Sequence, residues 1–506
     1  MQKQAVVPPP GAGTRLATQA CSHGTEHWTI GQAAGLRLSA SSWRFADASK
    51  SHFAGEAKVI DMLGYYLQLA VRSLRRNPVL TTLMIIAVGV GIGASMTMLT
   101  NLRVMTGDPI PDKSSQLFVP QIDVWGPGSR RTGGAANTDR LPDTLTYRDA
   151  IAFMRARRGV HQTAIYGMGL DIDAGSGRPF AAAGLAAYAD FFPLFEVPFA
   201  SGGPWSASDD ESRANVVVLS AKLAERVFPH ADAVGKTVNL EGHEYRIVGV
   251  MKPWSPVPRF YDTNGTGAAF GNTEDFFVPF TNAIDRQHES WGGIGCPGRA
   301  PAGWAGLLTS ECVWLQFWVE LPTAAAVRNY QDFLSSYAAE QRRSGRFDWA
   351  ARTQLHDVPD WLVQEDVVPE QARVNTFIGF ALLVVCLINA IGLMMAKFGS
   401  RAGELGVRRA MGGSRRDIFL QCLVETALIG LAGGLLGLGL TAIGLAVDRA
   451  LLAQGERNVA LDVLTRLDTG MLAITLAVAM AATLCAGLYP SWRASRVQPA
   501  WQLKVQ

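Results

Sequence analysis

Uncharged, predominantly apolar stretches recur along the chain at 79–102, 374–396, 426–447 and 469–492, with lengths of 24, 23, 22 and 24 residues. About 20 residues of helix cross the hydrocarbon core of a bilayer. A buried helix of this length in a soluble protein carries at least one charged edge, and none of these does. The pattern predicts four transmembrane helices. Positions 63–74 read as an amphipathic stretch that runs through Arg75-Arg76-Asn77-Pro78 to the first span.

The segment between the first two spans, 103–373, holds 271 residues, enough for one or two domains with their own cores. Its pattern is mixed. The β-branched run NVVVL at 215–219 reads as a buried strand, and Ser220 caps a following helix with Leu223 and Val227 on one face. Positions 237–240 and 245–250 read as two strands around Glu241-Gly242-His243, a hairpin signal. The aromatic, Pro-rich stretch 189–205 reads as irregular packing, and 260–310 as long loops. A helical pattern returns over 323–346, where Val327, Tyr330, Phe333, Leu334 and Tyr337 recur at three-to-four spacing. The predicted fold is a membrane protein with four transmembrane α-helices and a large α+β extracytoplasmic domain inserted between spans 1 and 2.

Composition agrees: 48% hydrophobic and 18% charged residues, against about 25% charged in soluble globular chains. A net charge of +3 excludes a general nucleic-acid binder. Orientation follows from Lys and Arg in the short flanks. Arg72, Arg75 and Arg76 precede span 1. Lys397, Arg401, Arg408, Arg409, Arg415 and Arg416 lie between spans 2 and 3, and Arg493, Arg496 and Lys504 follow span 4. The loop 448–468 is mixed in sign. Both termini and the second loop are therefore expected in the cytoplasm, with the large domain in the periplasm, in a multi-pass protein of the bacterial inner membrane. The expected division is a disordered tail or upstream extension (1–61), an amphipathic helix with span 1 (62–102), the outer domain (103–373), and spans 2–4 with their cytoplasmic loop (374–506).

Candidate chemistry is sparse. Six cysteines are too few for a disulfide scaffold. Cys296 and Cys312, 16 apart, are the only ones in the outer segment. An oxidising compartment permits a bridge between them, and two free thiols are the alternative. Gly235-Lys236-Thr237 resembles the tail of a phosphate-binding loop, yet the required first glycine falls on His230. His243-Glu244 begins a zinc-protease pattern that Ile247 ends. The eight histidines show no ligand spacing. The expectation is no catalytic residue, no metal site and no cofactor bound by this chain. Gly89 and Gly93 in span 1, and Gly430 and Gly434 in span 3, form Gly-x-x-x-Gly faces that allow close helix approach. A dimer contact and ordinary span packing are both open for them.

The stretch FGSRAGELGVRRAMGGSRRDIFLQCLVE at 398–425 is the most informative. Glu404, Leu405, Val407, Arg408, Arg409 and Met411 read as a short amphipathic helix ended by Gly412-Gly413. Ser414 and Asp417 have capping-box spacing at the start of the helix that becomes span 3. Such an element suits helix-in-groove docking by a cytoplasmic partner. Alternatively, its arginines serve topology alone.

These residues resemble the FtsX-like permease family, in particular the MacB type. The resemblance is carried by GELGVRRAMGGSRRDIFLQCLVE, by the ending GLYPSWRASRVQPAWQLK (487–504), and by VVVLSAKLAERVFPHADAVGKTVNLEGHEYRIVGVM (216–251), which is similar to the family's periplasmic core. Gly403 stands where an arginine is common in the family, a departure that removes one charge contact with the partner. The resemblance implies a permease subunit of an ABC-type complex. It implies ATP hydrolysed by a separate ATPase, a second permease copy in a homo- or heterodimer, a periplasmic adaptor, and a coupling helix at Glu404–Met411. Movement of the outer domain would export a peptide, an antibiotic-like compound or a lipid-linked cargo. Control of a cell-wall hydrolase and release of lipoproteins are the alternatives within the same family.

Overall fold

The computed structural model describes residues 64–126, 140–173, 178–229, 231–263, 268–271, 273–455 and 469–496. The tail expected at 1–61 lies outside them, as does the end of the closing motif. A helix at 64–76 leads into span 1 (Pro78–Met105), and the other long helices are span 2 (Glu370–Ser400), span 3 (Arg415–Gly455) and span 4 (Thr469–Ser495). All four are long and apolar enough to cross a bilayer. Spans 1–3 run past both expected boundaries, because helical hydrogen bonding continues through the charged flanks that mark the edge of the lipid-compatible sequence. Pro78 occupies the first turn of span 1, where its missing N–H costs nothing.

Small residues set the packing of the bundle. A Cβ added to Gly89 would sit 2.8 Å from Leu436, and one on Gly93 would sit 2.7 Å from Leu440. Span 1 therefore lies against span 3 with both running in the same direction. Gly379 of span 2 meets Ser95, placing span 2 antiparallel to span 1. Gly434 packs on Ala479 at 2.9 Å for an added Cβ, and Gly430 packs directly on Thr483, closing span 4 against span 3. All four glycines of the expected Gly-x-x-x-Gly faces thus serve contacts within one chain. This is ordinary span packing, one of the two readings open for them. Buried threonines return their hydroxyls to their own helix four residues back, as Thr97 does to Gly93 O at 2.8 Å and Thr483 to Ala479 O at 2.7 Å.

The outer domain is built on β1 (Leu117–Ile122), β2 (Leu145–Thr146), β3 (Gln162–Asp173), β4 (Phe180–Ala187), β5 (Phe199–Gly202), β6 (Val216–Leu219), β7 (Thr237–Leu240), β8 (His243–Met251), β9 (Phe276–Pro279), β10 (Val313–Glu320) and β11 (Thr353–Asp357). They join in the order β11-β1-β10-β3-β4-β9-β6-β8-β5, with β2 on β10 and β7 on β3 and β8. Both faces are covered, and the period-2 alternation of the strands divides their side chains between two cores. Phe317 and Val319 join Phe153, Tyr330 and Leu334 beneath helices Tyr147–Ala156 and Ala324–Arg343, while Trp318 between them joins Phe195, Phe260 and Trp361 on the other face. Burial on both sides is why these strands read as continuous apolar runs.

Two expectations need correction here. The stretch 189–205 contains a turn of helix, Phe191–Leu194, and the edge strand β5. Its phenylalanines form an edge-to-face cluster, with Phe191 and Phe195 ring centres 4.9 Å apart. The stretch 260–310 contains β9 and helices Phe280–Asp285 and Gly303–Thr309 as well as loops. Cys296 and Cys312 are bonded, with a Cα–Cα distance of 4.2 Å, so this stretch is tied to the start of β10.

Span 1 leaves the bundle into β1, and the chain returns through helix Val358–Gln364 to span 2. Asn101 of span 1 donates to Asp448 of span 3 at 2.9 Å near this end. The short helix Ala402–Ala410 between spans 2 and 3 lies at the opposite end.

Replacing Cys296 and Cys312 together by Ala should lower the unfolding free energy by about 3 kcal/mol, the chain-entropy cost of reopening the loop, measured by denaturant titration in detergent. A second expectation concerns Asp210, which accepts from the Trp205 indole at 2.9 Å and the Ala189 amide at 2.8 Å. Burial pushes its carboxyl up to about 7 despite those donors. The folded chain then holds this proton more tightly than the unfolded one. The linked stabilisation is present below the ordinary carboxylate range and is lost as pH rises through about 7. The melting temperature of the native protein should fall relative to Asp210→Asn between pH 5 and about 8.

Candidate functional site

The short helix forms where its charges suit a helix. Glu404 occupies the first turn and Arg408 and Arg409 the last, complementing the helix dipole. Glu404 and Arg408 also pair at i,i+4, 3.2 Å apart. Gly412, at φ +104°, ends the helix in a conformation that side chains resist. Ser414 and Asp417 then form a reciprocal cap on span 3: the Asp417 amide donates to Ser414 Oγ at 3.2 Å, and the Ser414 amide to Asp417 Oδ2 at 3.0 Å. At the other end Arg401 is both the last cap of span 2 and the first cap of the short helix, so one residue joins the two.

The helix presents two unlike faces. Leu405 is 5% exposed and packs into the bundle core with Ile418, Cys422 and Phe398. This corrects its expected place on a docking face. Glu404 also turns inward: it accepts from Arg76 at 3.2 Å, Arg401 at 3.3 Å and Arg408 at 3.2 Å. Arg408 further donates to Gln421 of span 3 at 3.2 Å. Outward stand Gly403, Val407, Ala410 and Met411, with Val407 52% and Met411 76% exposed. Arg409 is half-buried.

Beneath the helix lies a buried charge cluster. Lys397 of span 2, 0% exposed, meets Glu425 of span 3, 2% exposed, at 2.6 Å. Ser73 donates to the same carboxylate at 2.5 Å, and Arg401 lies 3.6 Å from its other oxygen and donates to Ser73. Lys397 also donates to Thr81 of span 1 at 3.1 Å. Helix 64–76 through Ser73, span 2 through Lys397, and the corner residue Arg401 thus reach one carboxylate of span 3, the longest of these approaches being 3.6 Å, and span 1 joins them through Thr81 on Lys397.

Residues 80–332 match the family model described as the MacB-like periplasmic core domain, and residues 376–499 match the FtsX-like permease C-terminal model. The chain belongs to the FtsX-like, MacB-type ABC permease family. This permease is 23% identical to the macrolide export ATP-binding/permease protein MacB of Syntrophobacter fumaroxidans over 502 residues, covering 91% of the chain and 66% of that relative. It is 21% identical to the pyoverdine export ATP-binding/permease protein PvdT of Pseudomonas syringae pv. tomato, covering 90% of the chain and 61% of that relative. The chain therefore spans less than two thirds of the length of either. Among solved structures it is similar to the periplasmic region of MacB from Actinobacillus actinomycetemcomitans, with a TM-score of 0.32, 13% identity, and coverage of 49% of this chain and 92% of that one.

Sequence reasoning about the permease missed the cluster. Lys397 and Arg401 counted only as topology charges, and Glu425 only as the end of a helix. The signal was present: a lysine closing one uncharged stretch and a glutamate opening the next, on consecutive spans joined by one short helix. Lys397→Met should cost about 3–5 kcal/mol, because it strips a buried carboxylate of its closest partner. Lys397→Met with Glu425→Leu should recover most of that loss in denaturant unfolding of the detergent-solubilised protein.

Proposed function

We propose that the chain is the permease subunit of an ABC-type export complex. In this reading an ATPase outside these 506 residues docks on the outward face of the short helix. Nucleotide-driven movement of that ATPase then shifts the spans and the outer domain together. One observation carries the reading: an exposed apolar face at one end of the bundle is fastened through buried charges to spans whose other end holds the outer domain. Helix-in-groove docking uses apolar anchors at this spacing. Gly403 lies on that face, so its departure from the family's usual arginine removes a charge from the partner side.

The arginines gathered at the short-helix end support a cytoplasmic position for that end, with the outer domain in the periplasm. Relatives named for macrolide and pyoverdine export favour an exported cargo, of the peptide, antibiotic-like or lipid-linked kind. The permease acts as a dimer whose contact involves surfaces other than the internally packed glycines.

Reconstitution of the chain with its ATPase tests this. Met411→Asp and Val407→Asp should each weaken docking by about 2 kcal/mol, roughly thirtyfold, as expected for loss of an apolar anchor. Membrane insertion and thermal stability should stay unchanged, because both side chains are exposed. Hydrolysis that both variants stimulate as well as the native chain would overturn the assignment of this face.

A further inference from the structure

Helix 64–76 carries three stripes, and only one of them faces the bundle. Tyr66, Ala70 and Ser73, at i, i+4 and i+7, face the bundle and are buried. Tyr66 reaches Asp417 at 3.4 Å, and Ser73 reaches Glu425. One position further round, Leu67 and Val71 are exposed and Leu74 is partly so. One position further again come Gln68, Arg72 and Arg75, all exposed, with Arg76 beside them. The helix contains no acidic residue. An apolar stripe flanked by a polar one whose charges are all positive, on a helix that runs directly into a membrane span, is the pattern of an element lying in the headgroup region.

We propose that this helix lies at the headgroup–acyl boundary and binds anionic phospholipid. Leu67 and Val71 sit among the acyl chains, and Arg72 and Arg75 are held by headgroup phosphates. Charge complementarity selects this occupant: a cationic stripe beside inserted aliphatic side chains matches a surface that offers phosphate above hydrocarbon. The same helix supplies Ser73 to the buried carboxylate and Arg76 to Glu404. Lipid that seats the helix therefore also seats two members of the charge cluster. The inference rests on the span assignment alone, so it stands or falls independently of any ATPase.

The test uses the full chain with a nitroxide at Val71→Cys, in a background of Cys21→Ser and Cys485→Ala. The remaining thiols are buried or bonded. Collision rates with oxygen and with an aqueous nickel chelate are read in phosphatidylcholine vesicles with and without phosphatidylglycerol. The expected result is a label that meets oxygen in preference to nickel when phosphatidylglycerol is present. That preference should be lost in the Arg72→Glu/Arg75→Glu variant and at high salt. A label equally open to nickel in both lipids overturns the proposal. So does lipid immersion indifferent to composition and to the charge reversal, or a preference restored by inorganic phosphate alone. A label shielded from both quenchers would mean that protein covers the stripe, and overturns it too.

Discussion

A carboxylate removed from water at the edge of a bilayer is unstable unless cations and donors surround it, and Glu425 is surrounded. Lys397 and Arg401 reach it from the end of span 2, and Ser73 from helix 64–76. Lys397 and Glu425 stand at the ends of different spans, so their pairing fixes which ends of which helices meet. Glu404 repeats the arrangement closer to the surface, gathering Arg76, Arg401 and Arg408. The two carboxylates share Arg401, so the short helix cannot be repositioned without disturbing the buried pair. In such a network the specificity of assembly comes from the cost of the unpaired alternatives more than from the attraction itself.

The rest of the bundle is held by different physics. Between helices surrounded by lipid, apolar burial supplies little preference, and shape decides. Glycines on span 3 receive Val88, Ile92 and Thr483 from two neighbours, which makes span 3 the element that both flanking helices grip. The outer domain returns to the hydrophobic effect. Its sheet separates two cores that meet only through alternating side chains of the same strands, so displacement of β10 is felt on both faces at once.

How much of this the sequence displayed depended on whether the cause was local. The spans were visible because lipid imposes a composition on each one separately. Ser220 as a helix cap, the β7–β8 hairpin and the Ser414–Asp417 cap were visible for the same reason: each is settled within a few residues. Strands β1, β3, β4 and β10 were not, because burial on both faces erases the alternation that reveals a strand. The phenylalanines of 189–205 looked irregular because their order comes from partners such as Tyr261 and Phe277. Leu405 was misplaced for a related reason. A nine-residue helix whose only large apolar side chains are Leu405 and Val407 has no single inner face of its own, and only the neighbouring span ends select it. The Lys397–Glu425 pair joins residues 28 positions apart in a hairpin whose closing register no local pattern states.

Span 2 and the short helix meet at Arg401 with no loop between them. A connection of several flexible residues would absorb a sideways push as slack. A single shared corner, clamped from beneath by Glu425 and from the side by Glu404, leaves none. On the docking proposed above, the two helices would act as the arms of a bell crank: pressure across the short arm would become torque on the long one, with Arg401 as the pivot.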